Sequence, residues 1–129
     1  GGQTQRLAIA SEIAFDPEFL IMDDPTSQMD PVGRKEFFEW LAGCSEKTIF
    51  IVSNEVDDLC EIADQLWVLE KGELIASGKP LDVINQVAEG HDLYLPVVYR
   101  MAKELGKKLP SGLFPVKLSE LKRCFDDQN

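Results

Sequence analysis

The sequence is poor in basic residues and has no long apolar run. It contains 129 residues, with 13 lysines and arginines against 23 aspartates and glutamates, and its net charge is −10. No run of about 18 apolar residues occurs, so we expect no membrane-spanning helix, and no apolar leader follows a basic start. Because nucleic-acid affinity comes mainly from basic side chains that release counterions, we also expect no nucleic-acid partner.

The cysteines are few and widely separated. Cys44, Cys60 and Cys124 are odd in number and lack the spacing of a metal cluster. We therefore expect idle or buried free thiols in a reducing compartment, and neither a disulfide framework nor a zinc site.

Charge is distributed unevenly along the chain. Residues 1–93 carry 6 basic and 19 acidic residues, whereas residues 94–129 carry 7 basic and 4 acidic residues. A shift of this kind indicates a boundary near Gly90. We predict a first domain over residues 1–89 and a small helical extension over residues 90–129.

The apolar spacing predicts alternating helices and strands, which indicates an α/β fold with a mostly parallel sheet and flanking helices. Residues 19–22 form a continuous apolar run, typical of a strand buried on both faces. A turn at Lys71-Gly72 predicts a hairpin. The predicted helices are 4–15, 31–41, 55–63, 81–87, 97–105 and 118–125, and the predicted strands are 19–22, 48–52, 65–69 and 73–76.

Two carboxylates, Asp23 and Asp24, directly follow the first predicted strand. Two adjacent charges at a buried strand end are costly unless a cation neutralises them, and Mg²⁺ held together with phosphate oxygens is a common solution. Such a site activates a water that attacks a phosphoryl group. The alternative is that both residues only begin a turn before Pro25.

The neighbouring motifs carry a family resemblance. Residues 1–10 read GGQTQRLAIA and residues 19–31 read FLIMDDPTSQMDP. They resemble the ATPase subunits of ATP-binding cassette (ABC) transporters, whose signature motif LSGGQ precedes QR and a helix, and whose Walker B and D-loop motifs read four apolar residues and then DEPTSGLDP. The resemblance covers residues 1–86 and implies the C-terminal part of an ABC ATPase domain, a P-loop NTPase fold that binds ATP and Mg²⁺.

The resemblance assigns roles to the residues around the acid pair. It implies that Asp23 holds Mg²⁺ and that Asp24 stands where the family has the glutamate that polarises the attacking water. Ser27 and Asp30 match the D-loop, which in the family runs along the seam between two ATPase subunits. By themselves, both residues also fit simple helix capping.

The glycine pair at the start of the sequence matches the end of the signature motif. Gly1, Gly2 and Gln3 are thereby implied to cover the nucleotide held by a second ATPase subunit, in a homodimer or a heterodimer. Glycines at a helix N-terminus let backbone N–H groups approach phosphate, and the helix dipole favours the anion. From the glycines alone, a flexible tag remnant is the alternative.

Two residues depart from the family pattern. Asp24 is one methylene shorter than the usual glutamate, and Asn54 stands where the family has the switch histidine that contacts the terminal phosphate. Asparagine donates a hydrogen bond but carries no charge. We therefore expect this half-site to bind nucleotide and to turn it over slowly or not at all. The single histidine, His91, is expected to be solvated.

The phosphate-cradling motif G-x-x-x-x-G-K-[ST] does not occur in the sequence. The resemblance implies an ATPase, but we expect this chain by itself neither to bind ATP tightly nor to hydrolyse it. Missing sheet partners are also expected to leave a strand edge and apolar surface exposed.

The tail reads LYLPVVYRMAKEL over residues 93–105, KLP over 108–110 and LSEL over 118–121. It resembles the C-terminal extension of energy-coupling-factor and cobalt-type ATPases, which implies a helical segment that helps to hold two ATPases together. The leading interpretation is part of an ATP-binding subunit that powers uptake of a vitamin or metal ion. Its implied partners are a second ATPase subunit and integral membrane transport subunits, with the protein bound peripherally at the cytoplasmic face of the cell membrane. The alternative is a non-catalytic pairing or regulatory subunit. A cassette ATPase of DNA repair or translation fits the acidic composition less well.

Overall fold

The computed structural model describes residues 2–126, and these divide into two compact units, residues 2–54 and residues 55–126. The elements of the first unit are α1 (Gly2–Ala14), β1 (Phe19–Asp23), α2 (Pro31–Ala42) and β2 (Thr48–Val52). Those of the second unit are α3 (Val56–Ile62), β3 (Leu66–Glu70), β4 (Glu73–Gly78), α4 (Pro80–Val87), α5 (Val97–Leu105) and α6 (Leu118–Asp126).

In the first unit, β1 and β2 form a parallel pair whose register runs from Phe19 opposite Thr48 to Asp23 opposite Val52. The buried apolar residues of this unit are Leu20, Phe37, Phe38 and Leu41. Helix α2 begins where the sequence predicts it, because Asp30 caps its N-terminus and a proline at its first position needs no hydrogen-bond acceptor for its nitrogen.

The prediction that β1 is buried on both faces is wrong for this chain. Leu20 is only 8% exposed, but Phe19 and Ile21 on the opposite face are 52% and 72% exposed. Phe50 in β2 is exposed on the same side as its register partner Ile21, and its ring lies 5.4 Å from that of Phe19. Within the described residues of the first unit, this face of the two-stranded sheet has no covering element.

In the second unit, β3 and β4 form the predicted antiparallel hairpin, with Lys71 and Gly72 at positive φ in the turn. Helix α4 packs on this hairpin through a cluster of Ala76, Val83 and Val87. A second cluster consists of Cys60 in α3, Ile84 in α4, Tyr99 in α5 and Val116 in the loop before α6.

The predicted α/β class is confirmed, and every predicted element is present with bounds that differ by at most two residues. The expectation of one mostly parallel sheet is not met among residues 2–126, which form one parallel pair and one antiparallel pair. A boundary after residue 89 falls inside the second unit, between α4 and α5, and remains a prediction. Among the described helices, none has both the length and the apolar character needed to cross a membrane.

Candidate functional site

The acid pair lies at the carboxyl end of the parallel strand pair. Asp23 is the last residue of β1, and the backbone N–H of Asp24 donates to the carbonyl of Val52 at 2.7 Å. Since Val52 ends β2, this hydrogen bond holds Asp24 beside the start of the Ser53-Asn54 segment. Both aspartates are exposed, so a ligand can reach their carboxylates from solvent.

Asp24 has a backbone conformation that is uncommon among residues other than glycine. Its φ is +49°, in the left-handed region, and it directly precedes Pro25. This region costs a residue with a Cβ roughly 1–2 kcal/mol, although aspartate tolerates it better than most. Asp16 and Lys71 have the same backbone conformation in other turns, so positive φ by itself does not mark a functional site.

The loop that follows consists of two tight turns. The N–H of Ser27 donates to the carbonyl of Asp24 at 3.3 Å, and the N–H of Met29 donates to that of Thr26 at 3.1 Å. Thr26 is 2% exposed, and its hydroxyl is a buried side-chain oxygen without a hydrogen-bond partner among the described residues. A buried hydroxyl of this kind is exceptional in a folded protein.

The two predicted D-loop residues occupy different positions in this loop. Asp30 caps α2, with its carboxylate accepting from the N–H of Gly33 at 2.7 Å. Ser27 is exposed and lies in the turn that begins at Asp24. The capping alternative therefore holds for Asp30, and a role for either residue along a dimer seam remains a prediction.

Of the predicted signature residues, Gly2 and Gln3 begin α1, and Gln3 is exposed. Gly1 lies outside the described residues. The helix N-terminus that the sequence predicts is thus present, while its contact with a second subunit stays a prediction.

Sequence reasoning missed Gln5. Its side-chain amide nitrogen donates to the carbonyl of Asp24 at 3.2 Å, and its side-chain oxygen accepts from the N–H of Gln28 at 3.3 Å. The available signal was the position of Gln5 in the segment that resembles the signature motif, directly before Arg6. Its partner groups, 19 and 23 residues away, leave no trace in the local pattern.

An open groove of about 280 Å³ lies between α1 and α2. Its rim carries Arg6 and Glu36, whose charged groups are 3.8 Å apart. Neither aspartate of the acid pair lines it, and neither does Asn54. The apolar lining consists of Ile9, Ala10, Ile13, Met29, Phe37 and Trp40.

In the second unit, the expectation of a solvated His91 is wrong. Its Nδ1 lies 2.6 Å from a carboxylate oxygen of Glu70, and both side chains are half-buried. Sequence reasoning missed this pair because 21 residues separate its members.

No disulfide joins Cys44, Cys60 and Cys124; Cys60 and Cys124 are buried, and Cys44 is half-buried. Burial raises the pKa of the Cys60 thiol to about 12, and the negative charge of Asp57 and Glu61 adds to this shift. Such a thiol stays protonated and unreactive at neutral pH.

The donor set at the end of β1 fits Mg²⁺. Two carboxylates are available there, and Mg²⁺ is usually bound by one or two protein carboxylates together with phosphate oxygens and water. Among residues 2–126, no group of three or more histidine, cysteine, aspartate or glutamate side chains is arranged to hold a metal ion by itself.

Comparison with protein-family profiles finds no match. Among curated proteins, the chain is 39% identical over 127 residues to the energy-coupling factor transporter ATP-binding protein EcfA2 of Streptococcus pyogenes serotype M28 (strain MGAS6180). It is 38% identical over 131 residues to the protein of the same name from Streptococcus pneumoniae serotype 2 (strain D39 / NCTC 7466). These alignments include 95% and 98% of this chain but 45% and 47% of the two relatives, so the chain spans about half of their length.

Solved structures of ABC transporter proteins also resemble this chain. The cbiO1 protein of Clostridium perfringens, described as part of the ABC transporter complex cbiONQ, superposes with a TM-score of 0.59 at 30% sequence identity. That match covers 81% of this chain and 40% of cbiO1. MJ1267, an ATP-binding cassette of an ABC transporter, shares the fold with a TM-score of 0.58 at 24% identity, over 70% of this chain and 36% of MJ1267.

Proposed function

The chain belongs to the ABC ATPase family, as a relative of energy-coupling-factor ATP-binding subunits, and from that premise we propose that it supplies the magnesium-binding and water-orienting carboxylates of an ATP site. The hydrogen bond from Asp24 to Val52 carries this proposal, because it holds the acid pair beside the Ser53-Asn54 segment. Asp23, Asp24 and Asn54 then lie at the same end of the strand pair, and all three are exposed.

Each side chain has a separate task in the proposed site. Asp23 would bind Mg²⁺ directly or through a water, and the ion would offset the negative charge of the phosphates. Asp24 accepts a hydrogen bond from the attacking water and orients it. Asn54 donates its side-chain N–H group to the terminal phosphate region.

The same residues make hydrolysis at this half-site slow in our proposal. The carboxylate of Asp24 is one methylene shorter than a glutamate, and misplacement by about an ångström costs up to roughly a hundredfold in rate. Asn54 cannot provide the positive charge of a protonated histidine. These two residues also favour the second candidate function, a non-catalytic pairing or regulatory subunit that binds nucleotide without turning it over.

The proposal for the whole protein follows from the named relatives. We propose an ATP-binding subunit that pairs with a second ATPase subunit, with Gly1, Gly2 and Gln3 completing the partner's site and Ser27 and Asp30 lying at the seam. Integral membrane transport subunits would bind this pair at the cytoplasmic face of the cell membrane. A vitamin or a metal ion is the proposed cargo.

The test is the effect of Mg²⁺ on nucleotide affinity in a protein of the relatives' full length that carries this sequence. We expect Asp23→Asn to lose most of the gain in ATP affinity that Mg²⁺ provides, because the amide replaces the anionic ligand. The matched control is Asp82→Asn, which alters an exposed aspartate in the first turn of α4. Equal Mg²⁺ dependence in the wild type and both variants would contradict the proposed site.

A further inference from the structure

Gln5 joins α1 to both ends of the turn that follows the acid pair. Its amide nitrogen donates to the carbonyl of Asp24, and its amide oxygen accepts from the N–H of Gln28. The amide nitrogen and the amide oxygen of Gln5 therefore each make one hydrogen bond to the backbone of this turn. Only a side chain with a donor and an acceptor on the same planar group satisfies both backbone groups in this way.

The position of Gln5 in α1 gives these two bonds their significance. The residue lies one helical turn after Gly2, at the start of α1, and it is half-buried. Asp24 is held at positive φ and is tied on its other side to Val52 of β2. The backbone of Asp24 is thus held between the end of a strand and the first turn of a helix.

We propose that Gln5 is a positioning residue that couples the N-terminus of α1 to the Asp24 carboxylate, a role that rests on the ATP site proposed above. A displacement of Gly2 and Gln3 moves Gln5 with them, since all three belong to the same helix. The two amide bonds pass this displacement to the Asp24–Gln28 turn. A displacement at the start of α1 therefore shifts the Asp24 carboxylate, and a displacement of Asp24 shifts the start of α1, within one chain.

Two variants separate the two bonds of Gln5. Gln5→Leu has a similar shape and removes both. Gln5→Glu keeps an acceptor for the N–H of Gln28 but removes the donor to the carbonyl of Asp24, and it sets a carboxylate beside that oxygen. The matched control is Gln86→Leu, which alters an exposed glutamine of α4 in the second unit.

The experiment uses the relatives' full-length form of the protein, assembled with an ATPase partner whose own hydrolytic site is inactivated, and measures kcat, KM and nucleotide affinity of the half-site that contains Asp24. We expect both Gln5 variants to lower kcat by roughly ten- to a hundredfold, the scale of a small misplacement of a reacting group. Nucleotide affinity and KM should stay within about twofold, because Gln5 touches neither metal nor phosphate in this account; a factor of two is less than 0.5 kcal/mol.

Amide hydrogen exchange at Gln28 provides an independent readout. We expect exchange to accelerate in Gln5→Leu, to remain slow in Gln5→Glu, and to be unchanged in Gln86→Leu. If Gln5→Leu does not fold, the kcat of Gln5→Glu alone tests the coupling role of Gln5. A wild-type kcat in a folded Gln5 variant overturns the coupling role. If that happens while Asp23→Asn loses the Mg²⁺ dependence of ATP affinity, only the role of Gln5 is wrong. If Asp23→Asn keeps this dependence, the proposed ATP site itself is wrong.

Discussion

Asp24 combines three features at the scale of a single residue: a left-handed backbone, a following proline and a hydrogen bond to the neighbouring strand. Asparagine tolerates the same backbone as aspartate does, and glutamate adopts it at a cost of roughly 1–2 kcal/mol. The position therefore allows substitutions that change the chemistry of the side chain while the turn is kept.

We predict that the double variant Asp24→Glu with Asn54→His raises ATP turnover of the full-length protein by tenfold or more, since a well-placed general base contributes about 10²–10⁴-fold. Asp24→Asn is the control, because it preserves the turn and removes the carboxylate. It should reduce turnover below the wild-type level without changing nucleotide affinity. Steady-state ATPase rates, measured with the partner subunit present, test this prediction. Unchanged turnover in the double variant would contradict the proposal that Asp24 and Asn54 make hydrolysis slow.

The thiols give a second prediction at this scale. Burial, with the nearby charges of Asp57 and Glu61, raises the pKa of Cys60 to about 12 from an ordinary value of 9.0. Because the folded protein holds the thiol proton more tightly than the unfolded chain does, this group favours the folded state fully below pH 9 and loses that contribution as the pH rises towards 12.

At pH 8 we therefore expect iodoacetamide to modify the half-buried Cys44 first and to leave Cys60 and Cys124 unmodified while the protein is folded. Peptide mapping by mass spectrometry follows each site, and the urea-unfolded chain, in which all three thiols react, is the control. Alkylation of Cys60 at the rate of Cys44 in the folded protein would show that this side chain is not buried.

At the scale of elements, the apolar periodicity was sufficient to predict each helix and strand, because the spacing of 3.6 or 2 residues records which face is apolar. The hairpin followed from its turn residues. Exposed apolar surface was expected from missing sheet partners, but the continuous apolar run of residues 19–22 did not tell which face of β1 lacks a cover. Gln5 was missed for a related reason: its partners are brought near by folding and not by sequence proximity.

Helix α2 offers a prediction that separates structure from function. Asp30→Ala should lower the free energy of unfolding by about 1 kcal/mol, the usual cost of losing an N-cap side chain. Asp30→Ser, which restores a capping oxygen, should recover most of that loss, and urea unfolding measures both. Full recovery of stability in Asp30→Ser without recovery of ATPase activity would assign Asp30 a second role at the subunit seam. Wild-type stability of Asp30→Ala would contradict the capping bond.

At the scale of the whole molecule, large apolar side chains are exposed in both units. In the first unit they include Phe19, Ile21, Phe50 and Val52, and in the second they include Trp67, Leu69 and Leu74. Contiguous apolar surface on a monomer usually marks an interface or an aggregation-prone face. Since the chain spans about half of its curated relatives, association is the expected behaviour of this chain in isolation.

The central claim is that the acid pair at the end of β1 lies beside Mg²⁺ and the end of the nucleotide. The most direct measurement is electron–nuclear double resonance of Mn²⁺, substituted for Mg²⁺, in the full-length protein with ATP and ¹³C-carboxyl-labelled aspartate. We predict a ¹³C hyperfine coupling, strong for a directly bound carboxylate and weak but detectable if a water intervenes, that is lost in Asp23→Asn and persists in Asp82→Asn. A spectrum in which nucleotide phosphorus couples to Mn²⁺, but no aspartate carbon does, would contradict it.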